Sequence, residues 1–412
     1  MSISKIVQKL NSLAHAYLDE NKLSVPNRCK FNFQSGDFGS ELIKFILSII
    51  PSGKVCFLHT KKSYNEFGVR LTKLFGKTNR QFINIILEDD FADDLQNYSN
   101  LFNSGEDVRL VVGCDYSLFN ACSYIASVRR IECLLLVNNL LTYDILAPYI
   151  NIKNGDLLDK FNITCFRQVY INDNISSEHI AEAYAFALSH ITALIDFTIS
   201  CEFYPCEQDE KVKELAKDCI CIAHGIMKSS RKRQIKKLLY ACIGIELANY
   251  LSQGRLKETS SAIAVARLYS KDKVEQIRIS FLGMLANLQI CNLYLSSNEE
   301  VFNLPDYIER ADKIASVYPI ESIFVVKNLT RQSKIVKKKK TDCISNLLDL
   351  KTQLSQIQDS INAMRQTYVA LQGTTQVQAE KFALAVKHSG DLTNYINLMS
   401  LVREKGILDY IE

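Results

Sequence analysis

Four short runs of β-branched and apolar residues fall in the first third of the chain: Val55–Leu58 (VCFL), Phe82–Leu87 (FINIIL), Val108–Val112 (VRLVV) and Cys133–Val137 (CLLLV). They recur about every 25 residues, and helical patterns fill the gaps at Ser63–Phe75, Phe91–Phe102 and Leu118–Val128. Strand, helix and strand at that spacing pair in parallel through a right-handed crossover. The pattern predicts a Rossmann-like parallel sheet. A last extended pair is expected at Ile163–Phe166 and Gln168–Ile171.

Strand signals stop near residue 172, and from Ser176 the periodicity is helical. Ser176, Ser177 and Glu178 supply a hydroxyl cap and an acid for a first turn. Further helices are expected at Asp209–Met227, Arg233–Leu251, Ser260–Leu268, Lys273–Leu295, Asp306–Ser316, Asp342–Leu371, Gln378–His388 and Leu392–Ile411. The fold class that results is an α/β N-terminal domain over residues 1–172, followed by an all-α C-terminal domain over residues 173–412.

One expected helix carries a heptad seam. Leu347, Leu350, Leu354, Ile357, Ile361, Met364, Tyr368 and Leu371 alternate spacings of three and four without a slip. The seam packs on the chain's own helices, or it meets a second copy or a protein partner. Both readings stand on the sequence.

Glycine narrows the chemistry. There are 15 in 412 residues, about half the typical ~7%, and no GG or GxG occurs. Dinucleotide fingerprints need close glycines so that backbone can approach a pyrophosphate, so no such fingerprint is present. The net charge of +4 is small for this length and gives no broad field for nucleic acid. The basic runs Lys228–Lys237 and Lys337–Lys340 lack interleaved aromatics and read as solvated helix ends or loops. Thirteen scattered cysteines, with no apolar signal segment at the start, point to a reducing cytoplasmic setting. No unbroken run of 18 apolar residues exists, so no membrane partner is expected.

Several segments resemble the iron-containing alcohol dehydrogenase and dehydroquinate synthase superfamily, nearest its sn-glycerol-1-phosphate dehydrogenase branch. They are Val108–Ile150, Ser176–Ser200 (SSEHIAEAYAFALSHITALIDFTIS), Leu238–Ala262 (LLYACIGIELANYLSQGRLKETSSA) and the stretch FALAVKHSGDLTNYINLMSLVREKGILDYI at the end. The Asp342–Leu371 helix resembles nothing in that pattern and reads as an insertion. The resemblance implies an NAD(P)-dependent polyol or alcohol oxidoreductase in which an Asp and two His hold Zn or Fe.

Taken residue by residue, that site does not carry over. The family aspartate falls at Phe186, and the two histidines fall near Ala262 and Lys273. The six histidines lie at positions 15, 59, 179, 190, 224 and 388, so none lies where the two ligands are required. Two substitutes suggest themselves, both more simply read as ordinary buried side chains: Glu182, Phe186 and His190 on one helix face, and Cys219, Cys221 and His224. In the latter, positions two apart point away from each other on a helix. No Zn or Fe is expected.

The family's pyrophosphate loop falls on Val112-Gly113-Cys114-Asp115-Tyr116-Ser117. Gly113, Asp115 and Ser117 are the degenerate cofactor positions. Cys114 and Tyr116 put side chains where backbone belongs, and Asp115 puts a charge of the wrong sign beside a phosphate. No cofactor is expected, and NAD(P) should bind weakly at most, at the helix N-terminus. Thr142 and Asp144 match the family's substrate-facing loop, and Asp144 either faces a substrate or orders a turn. The expectation is a non-catalytic ligand- or protein-binding pseudoenzyme. The alternative is an active, divergent NAD(P)-dependent oxidoreductase on a polyol phosphate or alcohol.

Overall fold

The computed structural model describes residues 32–88, 94–101, 107–137, 149–154, 157–163, 167–172, 175, 177–226, 231–269, 273–296, 307–317, 321–339, 348 and 379–404. The chain forms two compact units, Met1–Ile180 and Ala181–Glu412.

The first unit is built on a six-stranded parallel sheet: β1 (Asn32–Gly36), β2 (Lys54–Thr60), β3 (Phe82–Leu87), β4 (Val108–Gly113), β5 (Glu132–Val137) and β8 (Arg167–Asn172). The spatial order is β1-β8-β5-β4-β2-β3, every pair parallel. Its central strands are buried on both faces, as Val55 to Leu58 and Leu110 to Val112 show, which is why they read as continuous apolar runs. Helix α1 (Ser40–Ile49) packs Leu42 and Ile46 on one face. The helical run α2 joins it there, made of Lys61–Ser63, a π-helical turn Tyr64–Gly68 and Val69–Phe75, with Leu71 and Phe75 turned inward. Two further helices, α3 (Leu95–Asn100) and α4 (Phe119–Arg129), complete the layer structure.

The end of this unit holds more than the sequence showed. Of the extended pair placed at Ile163–Phe166 and Gln168–Ile171, residues 164–166 of the first lie outside the described residues, and the second falls in the sheet strand β8. An antiparallel hairpin, β6 (Tyr149–Asn154) with β7 (Leu157–Asn162), precedes it. Its Ile150 and Ile152 alternate inward, so it buries one face as antiparallel ribbons do. Strand β1 and helix α1 were not read from the sequence at all.

The second unit is helical. Its described helices are α5 (Ser177–Phe203), α6 (Asp209–Gly225), α7 (Arg231–Leu251), α8 (Arg255–Glu258), α9 (Ser261–Tyr269), α10 (Lys273–Ser296), α11 (Tyr307–Val317), α12 (Ser322–Lys339), α13 (Ala379–His388) and α14 (Leu398–Glu404). The expected last helix, Leu392–Ile411, starts six residues later, at Leu398, because residues 391–397 form turns. Helix α12 was not anticipated, and it carries Lys337–Lys339 at its C-terminal end, where a helix dipole favours cations. The heptad seam Leu347–Leu371 lies outside the described residues.

Every residue of α5 from Glu182 to Cys201 is buried. A helix enclosed all round needs partners for its polar groups. Asp196 finds them at two other helix starts: its carboxylate accepts from Ser261 N (2.8 Å), Ser261 Oγ (2.7 Å) and Leu398 N (3.0 Å). One side chain thus satisfies first-turn N–H groups of both α9 and α14. By length and composition, His179–Phe203 and Glu275–Ser296 would pass as membrane spans, a refinement of the expectation drawn from unbroken apolar runs. The most apolar window of the first is 100% buried within the protein, which marks a core helix.

Candidate functional site

In the sheet, the chain leaves β2 for β3 on one side and returns from β3 to β4 on the other. Ligands of open parallel sheets bind at such a switch point, beyond the carboxyl ends of the strands. The ends that meet here are Thr60 of β2 and Gly113 of β4, tied by the Cys114 N to Leu58 O hydrogen bond of 2.8 Å.

Thr60 is the N-cap of α2. Its Oγ1 accepts from Ser63 N at 3.1 Å, and Ser63 Oγ accepts from Thr60 N at 3.0 Å. That reciprocal cap uses donors a phosphate would otherwise claim. Thr60 Oγ1 also lies 3.4 Å from Asp115 Oδ2 as a donor. Asp115 Oδ1 accepts from Ser117 N (2.9 Å) and Ser117 Oγ (2.8 Å), an Asx turn that opens the path into α4. The crevice therefore already holds a carboxylate against a helix N-terminus, in contact with its hydroxyl cap. Gly113 serves packing: a Cβ there would meet Cys122 Sγ at 2.7 Å. Thr142 and Asp144 lie outside the described residues.

Beneath this crevice sits a histidine that sequence reading passed over. His59 is fully buried, 3.8 Å from Cys114 Sγ through Nε2, and its ring meets Tyr64 edge-on at 5.2 Å between centroids. Gly68 closes the π-helical turn over it, since a Cβ there would come within 2.9 Å of the imidazole. Burial pushes His59 down to about 4, with Asn84 opposing, and burial raises the Cys114 thiol. Both groups are neutral at physiological pH, so the pair has no thiolate to offer as a nucleophile.

The helical unit holds the second candidate. Glu182, Phe186 and His190 do share one buried face of α5. Glu182 pairs with Arg278 of α10 at 3.0 Å. His190 Nδ1 donates to the Phe186 carbonyl at 2.8 Å, leaving Nε2 a buried acceptor without a partner among the described residues. The rings of Phe186 and His190 are 4.6 Å apart, and Lys257 Nζ lies 5.9 Å from the centre of the Phe186 ring. Lys257 forms a close ion pair with Glu246 of α7, itself 1% exposed. Burial, then the Lys257 charge, push His190 down to about 3, against the hydrogen bond to Phe186.

A dication needs three convergent ligands with lone pairs. Phe186 and Ala262 have none, and both are buried. Lys273 begins α10 and would bring a like charge. On α6, Cys219 is buried, Cys221 is exposed and His224 is half-buried, so the three do not converge. Among the described residues no group of three or more His, Cys, Asp or Glu is arranged to hold a metal ion. The described residues do not fit the metal that the sequence resemblance implies.

No family model matches the sequence, and no curated protein matches it. Solved structures do. An iron-containing alcohol dehydrogenase from Thermotoga maritima is 12% identical, with 91% of this chain and 97% of that one covered, at a TM-score of 0.48. A 2-deoxy-scyllo-inosose synthase complexed with carbaglucose-6-phosphate, NAD+ and Co2+ is 13% identical over 92% and 98%, at 0.47. A glycerol dehydrogenase from Schizosaccharomyces pombe is 10% identical over 92% and 89%, at 0.41. The structures this chain is similar to thus include an iron-containing alcohol dehydrogenase, a glycerol dehydrogenase and a 2-deoxy-scyllo-inosose synthase.

Proposed function

We propose that this chain is a divergent relative of the iron-containing alcohol dehydrogenase and dehydroquinate synthase-like enzymes that has given up their chemistry and binds a ligand or a protein instead. The observation that carries the reading is Asp115. A carboxylate held by Thr60 and Ser117 stands at the switch-point helix terminus, where a dinucleotide of this fold class would place its phosphates. Like charges a few Å apart disfavour each other, and Asp115 cannot swing away without losing its turn.

The expected result is that NADH and NADPH titrated against the protein give no saturable fluorescence change in the micromolar range. Asp115→Gly removes the charge and the side chain, and should tighten nucleotide binding by about tenfold or more, the equivalent of about 1.4 kcal/mol. Micromolar NADH affinity in the unaltered protein, with turnover of a polyol phosphate or alcohol, would establish the active-oxidoreductase reading instead.

A protein partner fits the same reading. The seam Leu347–Leu371 would be about 37 Å long as a helix at 1.5 Å per residue, a stripe too large to leave in water. Leu354→Asp with Ile361→Asp should change the mass measured by light scattering, or abolish capture of a partner, while the sheet unit stays folded. Unfolding of the double variant with an unchanged monomer mass would assign the seam to the protein's own core.

A further inference from the structure

Helix α12 turns a basic stripe outward. Its 18 residues, Ser322–Lys339, hold five lysines, one arginine and no acid. Val325, Leu329, Gln332 and Ser333 are its buried side. At 100° per residue the exposed Ile323, Phe324, Lys327, Arg331, Lys334 and Lys338 fall opposite them, within an arc of about 100° and over a length of about 22 Å. Arg331 is engaged locally, donating to Asn328 Oδ1 and to the Asn394 carbonyl. Lys327, Lys334 and Lys338 have no ion pair or hydrogen bond among the described residues. On the neighbouring α11, Glu309 is already paired with Lys313. Ile323 and Phe324, each more than half exposed, give the stripe an apolar end.

A charge run alone is ordinarily a solvated face. Here unpaired lysines share one helix face with an apolar pair that the fold leaves in water. We propose that this face of α12 docks on the surface of an anionic lipid bilayer, with the lysines over the headgroups and Ile323 and Phe324 entering the headgroup boundary. The contact is peripheral and needs no spanning helix. It goes beyond the loss of oxidoreductase chemistry and does not depend on it. Lysines are flexible point charges and suit a fluid sheet of anionic headgroups. A protein partner with fixed carboxylates is better met by arginine forks, and the one arginine of the stripe is spent on its neighbours. A second copy would bring like charges together across a twofold axis. Single-stranded nucleic acid calls for aromatics between the charges, and the one aromatic here stands at the end. Near such a membrane each lysine is worth about fivefold in affinity, and burying the Phe324 ring about tenfold.

The test is vesicle binding by the full-length protein. The unaltered protein should sediment with phosphatidylcholine vesicles containing about 30 mol% phosphatidylserine, and not with phosphatidylcholine alone. The chain contains no tryptophan, so Phe324→Trp places a single indole on the face, and its emission should shift to the blue with the anionic vesicles only. Lys327→Gln, Lys334→Gln and Lys338→Gln together should weaken sedimentation about a hundredfold, and Ile323→Ser with Phe324→Ser about tenfold. All five side chains are exposed, so the melting temperatures should stay close to that of the unaltered protein. Should a variant fold poorly, salt at about 0.5 M serves in its place and should release the unaltered protein from the vesicles. Equal sedimentation with both vesicles, sedimentation with neither, or full binding by the folded triple lysine variant would overturn the proposal. Binding to polyglutamate or to duplex DNA without binding to vesicles would also overturn it, and would assign the stripe to an acidic protein or to nucleic acid. The NADH titration is unaffected by any of these outcomes.

Discussion

Asp391→Asn should lower the unfolding free energy by about 3–5 kcal/mol, the usual cost of breaking a buried ion pair from one side. Asp391 is fully enclosed in the turn after α13. One oxygen accepts from Arg403 Nη1 at 2.6 Å, and the other from Arg310 Nε at 2.6 Å and His388 Nδ1 at 3.1 Å. Arg403 and Arg310 are 1% and 6% exposed on their side chains, so neither guanidinium can turn to water when the charge is removed. Burial alone would raise the Asp391 carboxyl. Arg310, His388 and Arg403 reverse that and hold it well below the usual carboxylate range. The knot joins α11, α13 and α14, and Gln332 of α12 enters it by accepting from Arg403 at 3.1 Å. Urea unfolding followed by far-UV circular dichroism measures the loss. The exposed pair Lys313–Glu309, 63% and 66% exposed, is the control: Glu309→Gln should cost no more than about 0.5 kcal/mol. A loss under about 1 kcal/mol for Asp391→Asn would mean that Glu404, 2.9 Å from Arg403 Nη2, and the Lys387 carbonyl, 2.8 Å from Arg310 Nη2, suffice to hold the two guanidinium groups.

The parts of this architecture legible in the sequence are those where periodicity and burial coincide. Strands β2, β4 and β5 are buried on both faces and spell continuous apolar runs, so their positions come out within about two residues. Strand β1, spelled NFQSG, carries no such run, and its place is set by pairing with β8, a contact between residues more than a hundred positions apart. The hairpin β6–β7 had a readable signal in Asn154-Gly155 between alternating segments, and its flanking polar residues concealed it. Helix α12 opens Ser-Ile-Phe-Val-Val, a β-branched start that reads against helix, and Ile323 and Phe324 remain exposed there at 56% and 62%.

For the sites the division is similar. The shared face of Glu182, Phe186 and His190 follows from spacings of four on one helix. Lys257, Glu246 and Arg278, which determine the charge on that face, come from three other helices, α8, α7 and α10. No local pattern marks them. Asp115 was legible as a charge in the wrong place, but its bond to Thr60 crosses between adjacent strand ends 55 residues apart and needed the sheet order.

Acidification should destabilise the protein through its buried histidines, and the sign follows from where each proton binds first. His190 and His59 have pKa values near 3 and 4 in the folded protein against an ordinary 6.5, so as pH falls the unfolded chain takes the proton first. The stability they contribute is complete above about pH 6.5 and is lost as pH falls toward the folded values. Between about pH 7 and pH 5 each should subtract about 2 kcal/mol. Asp196 acts in the opposite sense over the same window. Burial pushes it up to about 7, against the three hydrogen bonds it accepts from Ser261 and Leu398, so its folded form takes the proton first and gains stability on acidification. The raw pH profile of the protein is therefore a compensated sum, and the informative quantity is the difference between variants. His190→Gln should show a loss between about pH 7 and pH 5 smaller by about 2 kcal/mol than that of the unaltered protein, whatever its stability at neutral pH. Asp196→Asn should show a loss larger by about the same amount. Parallel profiles for His190→Gln and the unaltered protein, from urea midpoints at each pH, would mean that His190 titrates normally and that Lys257 does not act on it through its charge.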